Sequence, residues 1–173
     1  MPTTIRYADL VDSVAAALQY ISYYHPADFI EHLARAYAQE QSPAAKDAIA
    51  QILTNSKMCA EGRRPICQDT GIVNVFLKIG MDVRFEGFAG SIEDAINEGV
   101  RRGYNDPENT LRASIVADPQ FERKNTKDNT PAVVHMSVVP ATRWTCRSLP
   151  RAAAARTRAS SSCSTRATAW STG

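Results

Sequence analysis

The stretch RRPICQDTG, residues 63–71, places Cys67 between two arginines and a Gln-Asp-Thr-Gly turn. Neighbouring arginines favour the thiolate form of a cysteine, and the thiolate is the form that binds iron. Gln68 and Asp69 add an amide and a carboxylate that could bind a polar ligand, and Gly71 allows the backbone to turn closely around it. On spacing alone, however, an incidental buried cysteine beside an ordinary turn is the better explanation.

The other cysteines are Cys59, Cys146 and Cys163, and no two of the four form a CxxC pair. This pattern argues against a self-contained zinc site. The first residues lack the charged and apolar regions of an export signal, and no segment approaches the length of a membrane span. We therefore expect a soluble cytoplasmic protein without a disulfide framework and without membrane contact.

The periodicity of apolar residues predicts the elements that position this turn. Helices are expected first, and a buried strand, IVNVFLKIG, follows the turn directly. Ser91 lies three residues before Asp94, which is the pattern of a helix capping box. The predicted helices are 8–24, one opening at 26, one opening at 42–43, and 91–104; the predicted strands are 72–80, 113–119 and 132–140.

These elements favour an α+β or mixed α/β fold. We expect N-terminal helices followed by mixed, largely antiparallel strands with packed helices, in an incomplete domain.

Three blocks occur in a fixed order: PICQDTGIVNVF, LRASIVADP and NTKDNTPAVVHMSVVP. With them, residues 1–140 resemble the N-terminal half of the class I, iron-sulfur-dependent fumarate hydratases and of the related tartrate dehydratases. The segments ISYYHPADF and SPAAKDAIAQILTNSKMCAEGRRPICQDTG are more similar to the single-chain fumarases. Residues 1–140 are therefore expected to be the N-terminal part of a catalytic domain of the iron-sulfur hydro-lyases.

The resemblance implies a site and a reaction. Cys67 would be one of three cysteines that hold a [4Fe–4S] cluster, whose free iron binds substrate. Gln68 and Asp69 would touch a small dicarboxylate, fumarate or L-malate, and Arg112 would bind one of its carboxylates. The alternative for Arg112 is a solvated charge at a strand edge. The family also implies the reversible hydration of fumarate in the tricarboxylic acid cycle, and a homodimer.

Several residues receive no catalytic role. His135 alternates with apolar neighbours, so a core or interface histidine is expected, and His25 and His32 have no partner spacing. Cys59 is expected to be a small buried residue. The residues from Asn125 to His135 fit a structural loop that leads into a strand.

The composition changes after Pro140. Residues 1–140 hold all 18 acidic residues and 14 of the 20 basic ones, whereas residues 141–173 hold six arginines and no Asp, Glu or Lys. The family resemblance stops at the same place. A one-base shift of the reading frame recovers a sequence similar to the family's KGGGSENK loop, and this predicts that 141–173 is an out-of-frame, disordered tail.

Two consequences follow for function. With one of the three cluster cysteines, the chain by itself is expected to be a truncated and inactive fragment, with no catalytic acid or base of its own. One alternative is the alpha-type chain of an L-tartrate dehydratase. Another is a non-catalytic binding module whose basic tail binds nucleic acid, which the metabolic character of residues 1–140 disfavours.

Overall fold

The computed structural model of the chain describes residues 3–67 and 71–140, and the backbone alone of residues 144–150 and 161–163. Within this part of the chain there are four helices and eight strands. In chain order they are β1 (Thr4–Arg6), α1 (Tyr7–Tyr23), α2 (Ala27–Gln39), α3 (Pro43–Gly62), β2 (Val73–Gly80), β3 (Arg84–Glu86), α4 (Ile92–Tyr104), β4 (Val116–Ala117), β5 (Lys124–Asn125), β6 (Val133–Val139), β7 (Trp144–Pro150) and β8 (Ser161–Cys163). The predicted α+β class is confirmed.

The core lies between α1, α4 and one face of β2. Each helix turns an apolar stripe towards it, and β2 contributes every second residue, as the helical and strand periods require. The buried side chains are Leu10, Val11, Val14 and Leu18 of α1, Val73, Val75, Leu77 and Ile79 of β2, and Ala95, Ile96, Val100 and Tyr104 of α4. Each large apolar side chain buried here contributes roughly 1.5–3 kcal/mol.

Two glycines allow α4 to lie close against α1. A Cβ atom at Gly99 would lie 2.7 Å from Val14 Cβ and 2.8 Å from the carbonyl oxygen of Val11. At Gly103 a Cβ atom would lie 3.2 Å from the backbone of Ala15. Gly99 and Gly103 therefore leave no side chain of α4 at the places where it contacts α1 most closely, and we call this contact the seam.

The capping box at the start of α4 is present as predicted. Ser91 Oγ accepts a hydrogen bond from Asp94 N at 3.1 Å, and the Asp94 carboxylate accepts one from Ser91 N at 2.8 Å. Hydrogen bonds from the Ser91 backbone and hydroxyl lower the pKa of Asp94. These bonds satisfy donors that a helix start would otherwise leave without partners.

The main sheet has the strand order β6-β2-β7-β8. β2 pairs in parallel with β6 and antiparallel with β7, and β7 pairs antiparallel with β8. On the outer face of the β2–β6 pair, the ring of His135 is stacked on that of Phe76 with their centroids 4.7 Å apart. His135 is exposed on the face of the sheet opposite the core, so the core alternative is wrong. The alternative of an interface histidine stays a prediction.

Two small sheets complete the pairing, β1 with β3 in parallel and β4 with β5 antiparallel. The predicted strand 113–119 is wrong over most of its length, because only Val116–Ala117 pairs. The preceding amides of Ser114 and Ile115 donate instead to the side chain of Asn129. A side-chain partner has replaced the strand neighbour that the sequence pattern predicted.

The pair of helices α2 and α3 is less buried than the core. α2 has no buried residue, and α3 buries only Ser56 and Cys59. The half-buried His25 between α1 and α2 lies 2.9 Å from Ser56 Oγ through its Nδ1 atom, and burial lowers the pKa of this histidine. No helix in the described residues is long and apolar enough to cross a membrane.

The tail is described at ten backbone positions, which are the strands β7 and β8. β7 runs beside β2, with Val73 opposite Pro150 and Ile79 opposite Trp144. The prediction of an out-of-frame, disordered segment 141–173 stays a prediction, and most of its residues lie outside the described part of the chain.

Candidate active site

The segment of residues 67–71, called the cysteine loop below, lies a few residues after the end of α3. Arg63 takes a left-handed conformation with φ 47°, which ends the helix, and the amide of Arg64 donates to the carbonyl of Cys59 at 3.1 Å. Cys67 follows as an exposed free thiol. Gln68 and Asp69, the predicted substrate contacts, lie outside the described residues.

The backbone just before Cys67 is held by two other elements. The amide of Ile66 donates to the carbonyl of Ser22 in α1 at 2.8 Å, and Asn55 Nδ2 of α3 donates to the carbonyl of Ile66 at 3.0 Å. Cys59 is buried, as predicted, and its Sγ lies 3.6 Å from the carbonyl of Pro65. The cysteine loop therefore starts from a backbone position that α1 and α3 fix.

The backbone after the loop is held by Asn129, whose side chain is fully buried, at 0 % exposed. Asn129 Nδ2 donates to the carbonyl of Gly71 at 3.0 Å. Its Oδ1 accepts from the amide of Ser114 at 2.8 Å and from that of Ile115 at 3.3 Å. One carboxamide thus joins the end of the cysteine loop to the segment that follows Arg112.

Arg112 is exposed, and among the described residues its guanidinium makes no hydrogen bond or ion pair. The backbone on both sides of it is fixed: the amide of Leu111 donates to the carbonyl of Tyr104 at 2.9 Å, and Asn125 Nδ2 donates to the carbonyl of Ala113 at 2.8 Å. The Arg112 guanidinium is therefore exposed, while hydrogen bonds fix the backbone on both sides of it. A guanidinium of this kind can bind a carboxylate through two parallel hydrogen bonds.

The loop that carries Asn129 is itself attached to α4. The carboxylate of Asp128 lies 3.1 Å from Arg101 Nε, and Asn97 Oδ1 accepts from the amide of Ala132 at 2.8 Å. Burial works against ionisation of Asp128, but hydrogen bonds from Thr130 and Arg101 outweigh it and lower the pKa of this carboxyl group. These contacts agree with the predicted structural loop over residues 125–135.

A polar surface cleft of about 420 Å³ lies beside this loop, and neither Cys67 nor Arg112 lines it. Its one cationic lining residue, Arg101, is already paired with Glu98 and Asp128. The cleft offers no unpaired charge that would attract a dicarboxylate. The predicted residues, rather than the cleft, define the candidate site.

The described residues do not complete a binding site for an iron-sulfur cluster. They contain no group of three His, Cys, Asp or Glu side chains arranged to hold a metal ion. Cys59 is buried and forms hydrogen-bond contacts with α3 and the loop, which leaves Cys67 as the one exposed thiol of this region. The donor set fits one ligand of a three-cysteine cluster and no more.

Asn129 is the residue that sequence reasoning missed. It lies in NTKDNTPAVVH, a run of residues that commonly form turns by bonding to nearby backbone. The composition predicted a loop, but it could not predict that the Asn129 side chain binds the distant residues Gly71 and Ser114. The available signal was a short amide side chain directly before Thr-Pro, a position where local hydrogen bonding is common.

Comparison with known proteins gives two matches. The model of the family described as Fumarate hydratase (Fumerase) matches residues 11–164. A protein of Methanocaldococcus jannaschii described as "Putative L(+)-tartrate dehydratase subunit alpha" is 35% identical over 118 residues, which are 68% of this chain and 40% of the relative. The chain therefore aligns with less than half of that relative's length.

Proposed function

This chain belongs to the fumarate hydratase (Fumerase) family, and on that premise we propose that it carries the substrate-binding part of a hydro-lyase that hydrates fumarate reversibly to L-malate. The observation that carries the proposal is the carboxamide of Asn129. It binds both the end of the cysteine loop, at Gly71, and the segment after Arg112. Gly71 and Ser114 are therefore joined through one side chain, and this supports the proposal that the cysteine loop and Arg112 belong to one site.

Arg112 binds one carboxylate of the substrate in this proposal. Its exposure supports the role, and so does the lack of a competing partner among the described residues. A bidentate pair with a carboxylate is stronger than a single neutral hydrogen bond and also fixes the orientation of the ligand. Gln68 and Asp69 take the remaining polar contacts, with the second carboxylate or the hydroxyl group.

Cys67 is proposed as one ligand of a [4Fe–4S] cluster. Its exposure supports this role, because the thiol is accessible to a group that other polypeptide must help to hold. The described residues supply no further ligands, so the other two cysteines of such a cluster must come from elsewhere. Cys146 and Cys163 lie in the segment that we predict to be out of frame, so we expect the 173-residue chain to be inactive by itself.

Anaerobic reconstitution tests this proposal. The 173-residue protein is incubated with iron and sulfide, desalted, and measured for visible absorbance and for the conversion of fumarate to L-malate. The expected result is no stable cluster and no turnover, with fumarate and L-malate still bound in a calorimetric titration. Turnover by the chain alone would contradict the fragment proposal, and absence of dicarboxylate binding would contradict the substrate assignment.

L-tartrate is the second candidate substrate. The similarity to the tartrate dehydratase relative favours it, and tartrate is a C4 dicarboxylate like malate with one more hydroxyl group. Titration with L(+)-tartrate, L-malate and fumarate separates the two candidates. A tartrate affinity clearly above that for malate would assign the chain to the tartrate enzymes.

A further inference from the structure

We propose that Asn129 is a positioning residue that holds Gly71, the last residue of the cysteine loop, beside the segment that follows Arg112. The assignment to a dicarboxylate site rests on the function proposed above. The geometric part does not, because it depends only on which backbone groups the Asn129 carboxamide binds.

The Asn129 side chain uses both ends of its carboxamide. The oxygen accepts from the amides of Ser114 and Ile115, and the nitrogen donates to the carbonyl of Gly71. An aspartate in the same place keeps the acceptor and loses the donor, while an alanine loses both. A buried backbone group that loses its partner is costly, so either change affects the segments that Asn129 joins.

The backbone at residue 129 also suits asparagine. Its φ is +58°, a left-handed conformation that asparagine adopts more readily than most other residues. The adjacent Asp128 is fixed by Arg101 and Thr130, which sets the direction in which the Asn129 side chain leaves the loop. α4 therefore helps to fix the loop that carries the carboxamide, and the carboxamide binds Gly71.

The two ends of the cysteine loop are held by different elements. Before the loop, Ile66 is bound by Ser22 and Asn55, and none of these contacts involves Asn129. After the loop, Gly71 is bound by Asn129 Nδ2. Loss of the Nδ2 donor should release the Gly71 end and leave the Ile66 end in place.

Backbone amide relaxation measured by NMR on the folded 173-residue protein tests the coupling without any ligand. In Asn129→Asp we expect the amides of Gly71 and Ile72 to become mobile, with order parameters falling from about 0.85 to below about 0.6, while Ser114 and Ile115 stay ordered. The matched control is Asn125→Ala, which removes the hydrogen bonds of the Asn125 side chain with the Ala113 carbonyl and the Lys127 amide and leaves Gly71 bonded. Unchanged order at Gly71 in Asn129→Asp would overturn the proposal.

A measurement on the unaltered protein covers the case in which Asn129→Asp does not fold. If the carboxamide is bonded as described, its Nδ2 protons exchange with solvent about as slowly as the amide proton of Ser114. Exchange of the Nδ2 protons as fast as those of the exposed Asn105, whose side chain makes no hydrogen bond among the described residues, would equally overturn the proposal.

Titration with fumarate and L-malate then tests the link to the site. At a temperature where both variants are fully folded, Asn129→Asp should weaken dicarboxylate binding at least tenfold. Gln51→Ala, which removes a side-chain hydrogen bond to Asp47 on α3, should leave it unchanged. Equal weakening by the two variants would indicate a general structural effect and would overturn the positioning role. If the unaltered chain binds neither acid, the substrate assignment fails, and the relaxation result still decides whether Asn129 holds the loop.

Discussion

Arg112 is an exposed side chain on a backbone that is held on both sides. Tyr104 binds the amide of Leu111 and Asn125 binds the carbonyl of Ala113, so the backbone that carries the Arg112 side chain is fixed. Because lysine keeps the positive charge but cannot form two parallel hydrogen bonds, Arg112→Lys separates charge from geometry.

We expect Arg112→Lys to weaken fumarate and L-malate binding by about tenfold, which corresponds to about 1.4 kcal/mol. Calorimetric titration measures the change. Arg123→Lys is the matched control, because Arg123 is also exposed and its Nε donates only to the carbonyl of Pro119. A similar loss in both variants would mean that the effect does not depend on the position of Arg112, and it would contradict the proposed role.

Tyr104 gives a second prediction at this scale, for high pH. Burial raises the pKa of Tyr104 to about 12 from an ordinary value of 10.0. The unfolded chain therefore loses the phenol proton first, and the free energy of unfolding must fall as the pH rises from 10 towards 12. Urea unfolding at pH 9, 10 and 11 should show a smaller fall in Tyr104→Phe.

Tyr20→Phe serves as the control for Tyr104, since Tyr20 is 55% exposed. This variant should retain the alkaline loss of stability of the unaltered protein. If Tyr104→Phe loses stability as steeply as the unaltered chain does, another group is responsible for the alkaline transition.

Single residues were predictable from sequence where their role is local. The capping box of Ser91 and Asp94 and the burial of Cys59 are both confirmed, because each depends on neighbours a few positions away. The core alternative for His135 failed, since alternation alone does not say which face of a strand is covered. Asn129 was missed because its partners lie in two distant segments.

At the scale of elements, α1 and α4 pack closely where Gly99 lies between them. Gly99 faces Val11 and Val14, and there is no room for even a methyl group between the helices. Helix propensity and packing therefore predict opposite effects for alanine at this position. Alanine favours the helix by about 1 kcal/mol, whereas overpacking costs about 1–3 kcal/mol.

We expect Gly99→Ala to destabilise the protein by about 1 kcal/mol or more, because backbone atoms of α1 cannot move aside cheaply. Urea unfolding at neutral pH measures the change. Gly62→Ala is the control, since its added Cβ would meet only the side chain of Arg64, at 3.8 Å. A stabilised Gly99→Ala variant would mean that the helices separate easily.

Elements with a strong period were predicted well. The four helices and the strands β2 and β6 begin and end within two residues of the predicted limits where limits were stated. The pair β1–β3 was missed because each strand has only three residues, too few to establish a period. Strand 113–119 failed because side chains of the 125–130 loop bind its backbone.

At the scale of the whole molecule, the frame-shift hypothesis explains why residues 141–173 differ in composition from the rest of the chain. The family match extends to residue 164, and the backbone of β7 pairs with β2. The frame-shift hypothesis still predicts a single base missing near codon 140. Sequencing the coding DNA across codons 138–142 and beyond should reveal that base, followed by an open frame with two further cysteine codons.

Recovery of the unshifted frame in that DNA would support a longer enzyme of the same family. Confirmation of the present reading would contradict the frame-shift hypothesis. It would direct attention to what the 173-residue chain binds, for which the dicarboxylate titrations are the first measurement.

The position of β2 has a consequence for how the protein is made. β2 is central in the main sheet, and its parallel partner β6 follows only after α4 and the 113–132 segment. On the ribosome, the nascent chain therefore carries an apolar strand without neighbours on either edge while α4 is being translated. Chaperones that hold extended apolar segments would meet this chain at β2 and release it once β6 emerges.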